Sequence, residues 1–203
     1  QYDAPLDVYN RPNSLFVADF VGNPAINFIE ASGRQNADGS IALQMLGGVN
    51  AVFRPNEKLD LAGWFAAEDA KDEAKKAREA ELARDKANKD TVFRCHIPMV
   101  TETEDFGDEE SPTDGDFIVG VRPEFLKLSE NGAVEGEIYS AMPTGMETTV
   151  RIRIGDYLLT GVVFGGVLYR IGEKVRIDFD GSGVVLFSRR NGRLISLGSV
   201  ELK

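Results

Sequence analysis

The chain has 203 residues, 42% of them hydrophobic and 28% charged, and a formal net charge of −10. This composition predicts one globular domain or two small ones, and its acidity argues against a surface for nucleic acid or for an anionic membrane, since both require a basic field. The single cysteine, Cys95, excludes an internal disulfide, and no apolar run approaches the roughly 20 residues that span a bilayer.

The first 25 residues have a helical pattern. Pro5 suits the first turn of a short helix that ends near Tyr9. Asn10 is the candidate N-cap of a second helix, with Pro12 in its first turn. The second helix has an apolar face formed by Phe16, Val17, Phe20 and Val21.

Residues 26–55 predict short β-strands. An apolar run over 26–31 is followed by the turn dipeptide Asp38-Gly39, by a second run over 41–45 and by a third over 51–54 that stops at Pro55.

Residues 56–116 differ in kind from the rest of the chain. Residues 66–90 are mostly acids, bases and alanines. This composition predicts a solvated single helix or a mobile arm. A strand is predicted over 91–97, and the acidic stretch 101–116 predicts an exposed loop.

Residues 117–203 predict a dense series of strands. The run over 148–154 alternates, with Val150 and Ile152 on one face and Arg151 and Arg153 on the other. Asn191-Gly192 predicts the turn of a hairpin over 186–197. Short strands at this spacing indicate a small barrel or a sandwich.

Few patterns point to chemistry. The phosphate-binding pattern G-x-x-x-x-G-K-[ST] does not occur, so we expect no ATPase activity from these residues. Neighbours in a strand point to opposite faces, so Cys95 and His96 are not expected to form a nucleophile–base pair. Arg189 and Arg190 suggest an anion site, although a solvated hairpin end explains them better. We predict no catalytic, cofactor-binding or metal-binding residue.

Three separated segments resemble the ATP-binding subunits of ABC importers of the maltose and multiple-sugar type, in the part that follows the nucleotide-binding domain. The opening run is typical of a chain already under way after that domain. The residues that carry the resemblance, all expected to be structural, are Pro5, Tyr9, Pro12, Phe16, Phe20, Gly22, Pro24 and Asn27, then Gly120, Arg122, Pro123 and Glu124, and finally Gly145 and Glu147.

The resemblance implies a mainly β fold, with an OB-type (TOBE/MOP-like) small barrel, short N-terminal helices and a long charged helical insertion. The expected divisions are a helical segment at 1–25, a barrel formed by 26–55 together with 117–203, and the insertion at 56–116, which does not match the family and has no assigned role. Beside the resemblance, Arg122 before Pro123 predicts a sharp exit from a sheet, where Arg122 could pair with a carboxylate.

The resemblance further implies a non-catalytic regulatory and dimerisation domain. The parent protein would couple ATP hydrolysis to carbohydrate uptake at the cytoplasmic face of the cell membrane, with ATP and Mg²⁺ bound outside this part. The implied partners are a homodimer mate, membrane permease subunits and a regulatory protein, with no nucleic acid. The alternative is a stand-alone module that binds an oxyanion or a sugar through Arg151, Arg153, Tyr157 and Arg170.

Overall fold

The computed structural model describes residues 1–82, 95–100 and 111–203, and only the backbone of 77–82. It contains three α-helices, one 3₁₀ turn and eleven strands within these ranges. In chain order these are α1 (Pro5–Asn10), α2 (Leu15–Phe20), β1 (Asn27–Gln35), β2 (Ile41–Met45), β3 (Val49–Pro55), α3 (Leu61–Leu82), β4 (Asp116–Val121), the 3₁₀ turn (Pro123–Phe125), β5 (Leu126–Leu128), β6 (Val134–Pro143), β7 (Glu147–Ile154), β8 (Tyr157–Phe164), β9 (Lys174–Phe179), β10 (Val184–Ser188) and β11 (Leu194–Leu202).

The strands form two antiparallel sheets. The first closes into a barrel in the order β1-β2-β3-β11-β10-β4, and the second has the order β5-β9-β6-β7-β8. Registers include Ile29 opposite Val119 between β1 and β4. The mainly β class with a small barrel, short N-terminal helices and a longer charged helix is therefore confirmed. The division of the chain into three segments remains a prediction.

Alternation along β1 places side chains in two cores. Ile29 belongs to the main core, which also contains Phe117 of β4 and Ile138 and Ile152 of the second sheet. Phe28 points the other way, into a smaller core that α2 covers with Leu15, Ala18 and their neighbours. The main core thus joins the two sheets, and the smaller one attaches the N-terminal helices.

The second helix differs from the prediction. Its N-cap is Ser14, whose Oγ accepts a hydrogen bond from the Val17 N–H at 3.4 Å, so Asn10 does not cap it and Pro12 lies before it. The buried residues are Leu15 and Ala18, whereas Phe16 and Phe20 face outward and stack on each other with ring centroids 6.4 Å apart. Leu15 and Ala18, and not the predicted Phe16 and Phe20, therefore belong to the face that meets the barrel.

The charged helix begins at Leu61, five residues before the predicted start. Asp60 caps it, since its Oδ1 accepts from the Gly63 N–H at 3.1 Å, and Gln35 Oε1 accepts from the Leu61 N–H at 3.0 Å. Leu61 and Phe65 are buried in the main core, so the first turns are not solvated. The solvated interpretation applies to 73–76, which are exposed; residues 83–90 lie outside the described residues.

The prediction of a strand over 91–97 is wrong for residues 95–97, the part of this range that the structure describes. Residues 95–97 have no regular secondary structure, and 91–94 lie outside the described residues, as do 101–110 of the predicted acidic loop. The segment instead reaches the edge of the second sheet, where the Leu158 N–H donates to the Pro98 carbonyl oxygen at 2.9 Å and Met99 forms a bridge with Tyr157. None of the described helices is both long and apolar enough to span a membrane.

Candidate functional site at the N-terminal corner

The residues of the predicted motif converge on Arg122, which follows β4 and precedes the 3₁₀ turn that Pro123 begins. The residue is buried, with 2% of its surface exposed. Its guanidinium donates to the carbonyl oxygens of Tyr9 at 2.9 Å, Val21 at 2.5 Å and Ala18 at 3.4 Å. Helix ends leave such carbonyls without intrahelical partners. One side chain therefore caps the C-terminal ends of both α1 and α2.

Tyr9 and Glu124 complete the surroundings of this guanidinium. The Arg122 Cζ atom lies 4.0 Å from the centroid of the Tyr9 ring, and the Tyr9 hydroxyl donates to Glu124 Oε1 at 2.8 Å. Arg122 was expected to pair with a carboxylate, but main-chain carbonyls bind its guanidinium, and the Glu124 carboxylate binds Tyr9 instead. Burial lowers the pKa of Arg122, against the opposing effects of Tyr9 and Glu124. Burial and the hydrogen bond to Glu124 raise the pKa of Tyr9.

Gly22 makes room for the guanidinium. It adopts φ +118, in the region that favours glycine, and a Cβ there would lie 2.9 Å from Arg122 Nη1 and 3.1 Å from Tyr9 Cε2. Both the backbone conformation and the close approach therefore require glycine at this position.

Asn27 connects the corner to the second sheet. Its Nδ2 donates to the carbonyl oxygens of Val121 at 3.0 Å and Thr160 at 2.8 Å, while its Oδ1 accepts from the Thr160 N–H at 2.7 Å. The residue is buried, with 4% exposed. Because Val121 ends β4 and Thr160 lies in β8, one amide ties the barrel to the edge of the second sheet.

The other motif residues have different positions. Pro5 begins α1, Pro12 is buried in the link to α2, and Pro24 follows α2. Gly120 contacts the smaller core, and a Cβ at this position would be 2.9 Å from Ile26 Cδ1. Outside the corner lie the exposed Phe16 and Phe20 on α2, and Gly145 and Glu147 at the β6–β7 turn. Their structural roles remain predictions.

Sequence reasoning missed the partners of the hairpin arginines. Arg189 contacts Glu30 Oε1 at 2.9 Å, Arg190 contacts Asp114 Oδ1 at 3.0 Å, and Arg193 contacts Asp72 Oδ1 at 2.7 Å. Carboxylates therefore surround these guanidinium groups, which argues against the anion site considered from the sequence. The acids on the charged helix indicated possible partners, but their pairing with a hairpin about 120 residues away left no local pattern.

Cys95 and His96 lie in different surroundings. Cys95 packs against the smaller core, and burial raises the pKa of its thiol to about 11, so it is protonated near neutral pH. His96 is exposed and lines a cleft of about 570 Å³ between the N-terminal segment and the second sheet. Among the described residues, no group of three or more His, Cys, Asp or Glu side chains could hold a metal ion.

The four residues of the alternative ligand site do not come together. Arg151 lines the same cleft as His96, while Tyr157 lines a separate one of about 410 Å³ beside Arg189. Arg153 pairs with Glu137 at 3.4 Å, and Arg170 is exposed on the loop after β8. Only Arg151 thus remains as a candidate for contact with a ligand in the larger cleft.

Comparison with known proteins finds ATP-binding proteins of transport and import systems among the relatives of this chain. The chain is 26% identical over 197 residues to the sulfoquinovosyl glycerol transport ATP-binding protein SmoE of Agrobacterium fabrum, covering 96% of this chain and 40% of that protein. It is 28% identical over 184 residues to the uncharacterized ABC transporter ATP-binding protein YcjV of Escherichia coli, covering 89% and 36%. A segment of 43 residues is 44% identical to the sn-glycerol-3-phosphate import ATP-binding protein UgpC of Ruegeria pomeroyi, covering 21% and 11%.

These matches cover only part of each relative. The chain spans 40% or less of the length of these relatives. No family model matches the chain.

Proposed function

From the premise that this chain is a relative of the ATP-binding subunits of ABC importers, we propose that it is the regulatory and dimerisation domain of such a subunit in a sugar importer. The observation that carries the proposal is the match to SmoE along 96% of the chain. The parent subunit would bind ATP and Mg²⁺ in a separate nucleotide-binding domain and couple hydrolysis to carbohydrate uptake. The domain described here would bind no cofactor.

The corner around Arg122 fits this role. In the parent subunit, α1 and α2 would connect the nucleotide-binding domain with the barrel. Arg122 fixes both helix ends, and Asn27 fixes β1 to the second sheet, so a displacement of the helices would reach both sheets. The proposed partners in the assembly are membrane permease subunits and a regulatory protein, at the cytoplasmic face of the membrane.

An apolar surface at one end of the second sheet supports dimerisation. Six apolar side chains are exposed at the end of β6, the β6–β7 turn, the end of β8 and the loop after it: Met142, Met146, Phe164, Val167, Leu168 and Ile171. Met146 and Phe164 lie together, because the Gly165 N–H donates to the Met146 carbonyl oxygen at 2.9 Å. Large exposed apolar side chains that lie close together mark interaction sites. Since two copies with net charges of −10 repel each other, an uncharged face is where a second copy can approach best.

Light scattering across concentration tests the dimer. The unmodified chain is expected to form a dimer, and Leu168→Glu should shift it to monomer by burying a charge in the contact. Phe20→Glu is the matched control, because Phe20 is equally exposed but lies on α2. A chain that is monomeric at every concentration, or a dimer that persists in Leu168→Glu, would overturn the assignment of this surface.

A second experiment tests the regulatory role in the parent subunit. Deleting residues 26–203 should leave ATP binding by the remaining part intact and abolish the response of sugar uptake to the regulatory protein. If uptake in the deletion variant were regulated as in the complete subunit, the regulatory role would be wrong, whatever the oligomeric state of the chain.

The cleft beside Arg151 favours a second candidate function, the binding of a small polar ligand. Its volume of about 570 Å³ lies in the range of ligand sites, and its lining includes Asp19, His96 and Thr160. Titration calorimetry with a panel of sugars and oxyanions, on the unmodified chain and on Arg151→Ala, tests this candidate. Heat that disappears in the variant would support it, and the absence of heat across the panel would refute it.

A further inference from the structure

The β10–β11 hairpin contacts two helices at once. Its main chain pairs with the segment that starts α2: the Leu15 N–H donates to the Gly192 carbonyl oxygen at 2.9 Å, and the Leu194 N–H donates to the Asn13 carbonyl oxygen at 3.1 Å. Between these bonds, Ser14 and Arg193 form an isolated β-bridge. Ser14 is also the residue whose hydroxyl caps α2. The hairpin therefore supports the N-terminal end of that helix.

The side chains of the same hairpin hold α3. Arg193 contacts Glu68 and also Asp72, the latter at 2.7 Å. Arg190 contacts Asp69, and its Cζ atom lies 5.2 Å from the centroid of the Phe65 ring. These acids follow the apolar first turns of α3 and face the hairpin together. The helix is thus attached by an apolar contact at its start and by ion pairs one to two turns later.

The ion pairs lie in a partly buried setting. Only 7% of the Glu68 side chain is exposed, against 37% for Arg193. Burial alone would raise the pKa of Glu68, but hydrogen bonds from Lys71 and Arg193 outweigh it, so the pKa is lowered. The bond to Glu68 correspondingly raises the pKa of Arg193. Buried hydrogen-bonded pairs couple their partners more tightly than exposed ones do, since an abandoned partner stays desolvated.

We propose that the β10–β11 hairpin couples the docking of α3 to the order of α2, with Arg193 as the connecting residue. The side chain of Arg193 is held by α3, and its main chain is bridged to the N-cap of α2. Release of the acids from Arg193 loosens the hairpin, and α2 then loses support for its first turn. An event on the charged helix is thereby transmitted to the N-terminal helices. This inference does not depend on the proposed transporter function.

The double variant Glu68→Gln, Asp72→Asn tests the coupling from the α3 side, because neither substitution touches α2 or the hairpin backbone. Docking of α3 is followed by the fluorescence of Trp64, the only tryptophan, and by its quenching with acrylamide. The order of α2 is followed by hydrogen exchange at the amides of Leu15, Val17 and Ala18. We expect red-shifted, more quenchable emission and exchange about five- to tenfold faster at these amides, the scale of a lost N-cap.

Glu201→Gln is the matched control, because it removes the charge of an exposed pair with Arg54 on β3 and should change neither readout. A fluorescence change without faster exchange in α2 would overturn the coupling. Faster exchange without a fluorescence change, or no change in either, would overturn the role of α3 docking.

A salt titration keeps the proposal testable if the double variant does not fold. Raising NaCl from about 0.1 M to about 1 M in the unmodified chain shortens the Debye length from about 10 Å to about 3 Å, and it weakens the partly exposed pair of Arg193 with Asp72 more than the pair with the buried Glu68. Trp64 emission and exchange at Leu15, Val17 and Ala18 are then expected to change over the same salt range. Responses at different salt concentrations, or a response in only one of them, would contradict the proposal.

Discussion

At Arg122 a charged side chain replaces the apolar filling that a buried corner ordinarily contains. The guanidinium is tolerated because three carbonyl oxygens and one aromatic ring surround it. These carbonyls would otherwise lack partners at the helix ends, so the arginine and the helices depend on each other. Truncation of Arg122 is therefore expected to destabilise the ends of both helices.

Replacement of Arg122 by alanine is expected to destabilise the chain by about 3–5 kcal/mol, because buried carbonyls lose their donors and a cavity remains. Arg122→Lys should recover only part of this loss, since an ammonium cannot reach both helices with a planar fork. Urea unfolding measures the difference. The control is Arg54→Ala, whose side chain is 56% exposed and which should cost less than about 1 kcal/mol. Equal losses at the two positions would contradict the capping role.

Gly22→Ala separates the close approach of Arg122 from backbone strain. Gly22 and Gly48 have similar positive φ, +118 and +128, but a Cβ at Gly48 has no heavy atom within 4 Å. Gly48→Ala should therefore cost only the conformational strain, about 1–3 kcal/mol. Gly22→Ala should cost about 1–3 kcal/mol more, from overpacking against the guanidinium. Urea midpoints of the two variants measure this difference, and identical midpoints would show that the corner adjusts without cost.

The Tyr9 hydroxyl gives the corner a dependence on alkaline pH. Its pKa is raised in the folded chain, so the folded state holds this proton more tightly than the unfolded state does. The resulting stability is present below the ordinary tyrosine pKa of about 10 and is lost as pH rises through the higher folded value. Tyr9→Phe should therefore lose less stability than the unmodified chain between about pH 9 and pH 11. Urea unfolding at several pH values measures this, and parallel curves would contradict it.

At the scale of the elements, Asn27 shows how one amide joins two sheets. It contributes a donor and an acceptor to β8 and a second donor bond to β4. Asn27→Ala should cost about 2–4 kcal/mol, because the N–H and carbonyl groups of Thr160 lose their partner in a partly buried position. Hydrogen exchange at the Thr160 amide should accelerate accordingly. Asn50→Ala on β3, where the residue is exposed, serves as the control and should leave that amide unchanged.

The predicted elements show which features a sequence encodes locally. The hairpin turns at Asp38-Gly39 and Asn191-Gly192 were predictable because positive φ at Gly39 and Gly192 is a local requirement. The buried face of α2 was not, because Leu15 and Ala18 pack against strand residues far along the chain, such as Val185, which no local pattern indicates. The start of α3 had a local indication in Asp60, an N-cap residue before Leu61, which the charge pattern further along obscured.

The candidate site was likewise predictable from the sequence only in part. The sequence motif contained Tyr9, Gly22, Arg122 and Glu124, but spacing could not show that they meet. Their convergence depends on the pairing of β1 with β4, which lie about 90 residues apart. The division of the strands into two sheets was equally hidden, because alternation indicates which face of a strand is buried but not which strand is its neighbour.

For the whole molecule, the shared core decides whether the two sheets are separate units. Ile29 and Phe117 of the barrel belong to the same buried cluster as Ile138 and Ile152 of the second sheet, and Phe65 of α3 joins them. Neither sheet can expose this face without uncovering the other. Together with the Asn27 bonds across β4 and β8, this contact predicts that the barrel and the second sheet unfold cooperatively.

Urea unfolding followed by two probes tests this cooperativity. Trp64 fluorescence reports on α3 and the main core, and far-ultraviolet circular dichroism reports on the strands of both sheets. The two midpoints should coincide, and Asn27→Ala should lower both by the same amount. Urea is the appropriate denaturant, because guanidinium would also screen the ion pairs of α3 and shift the Trp64 signal alone. A second transition in circular dichroism without a fluorescence change would mean that the sheets unfold independently despite their common core.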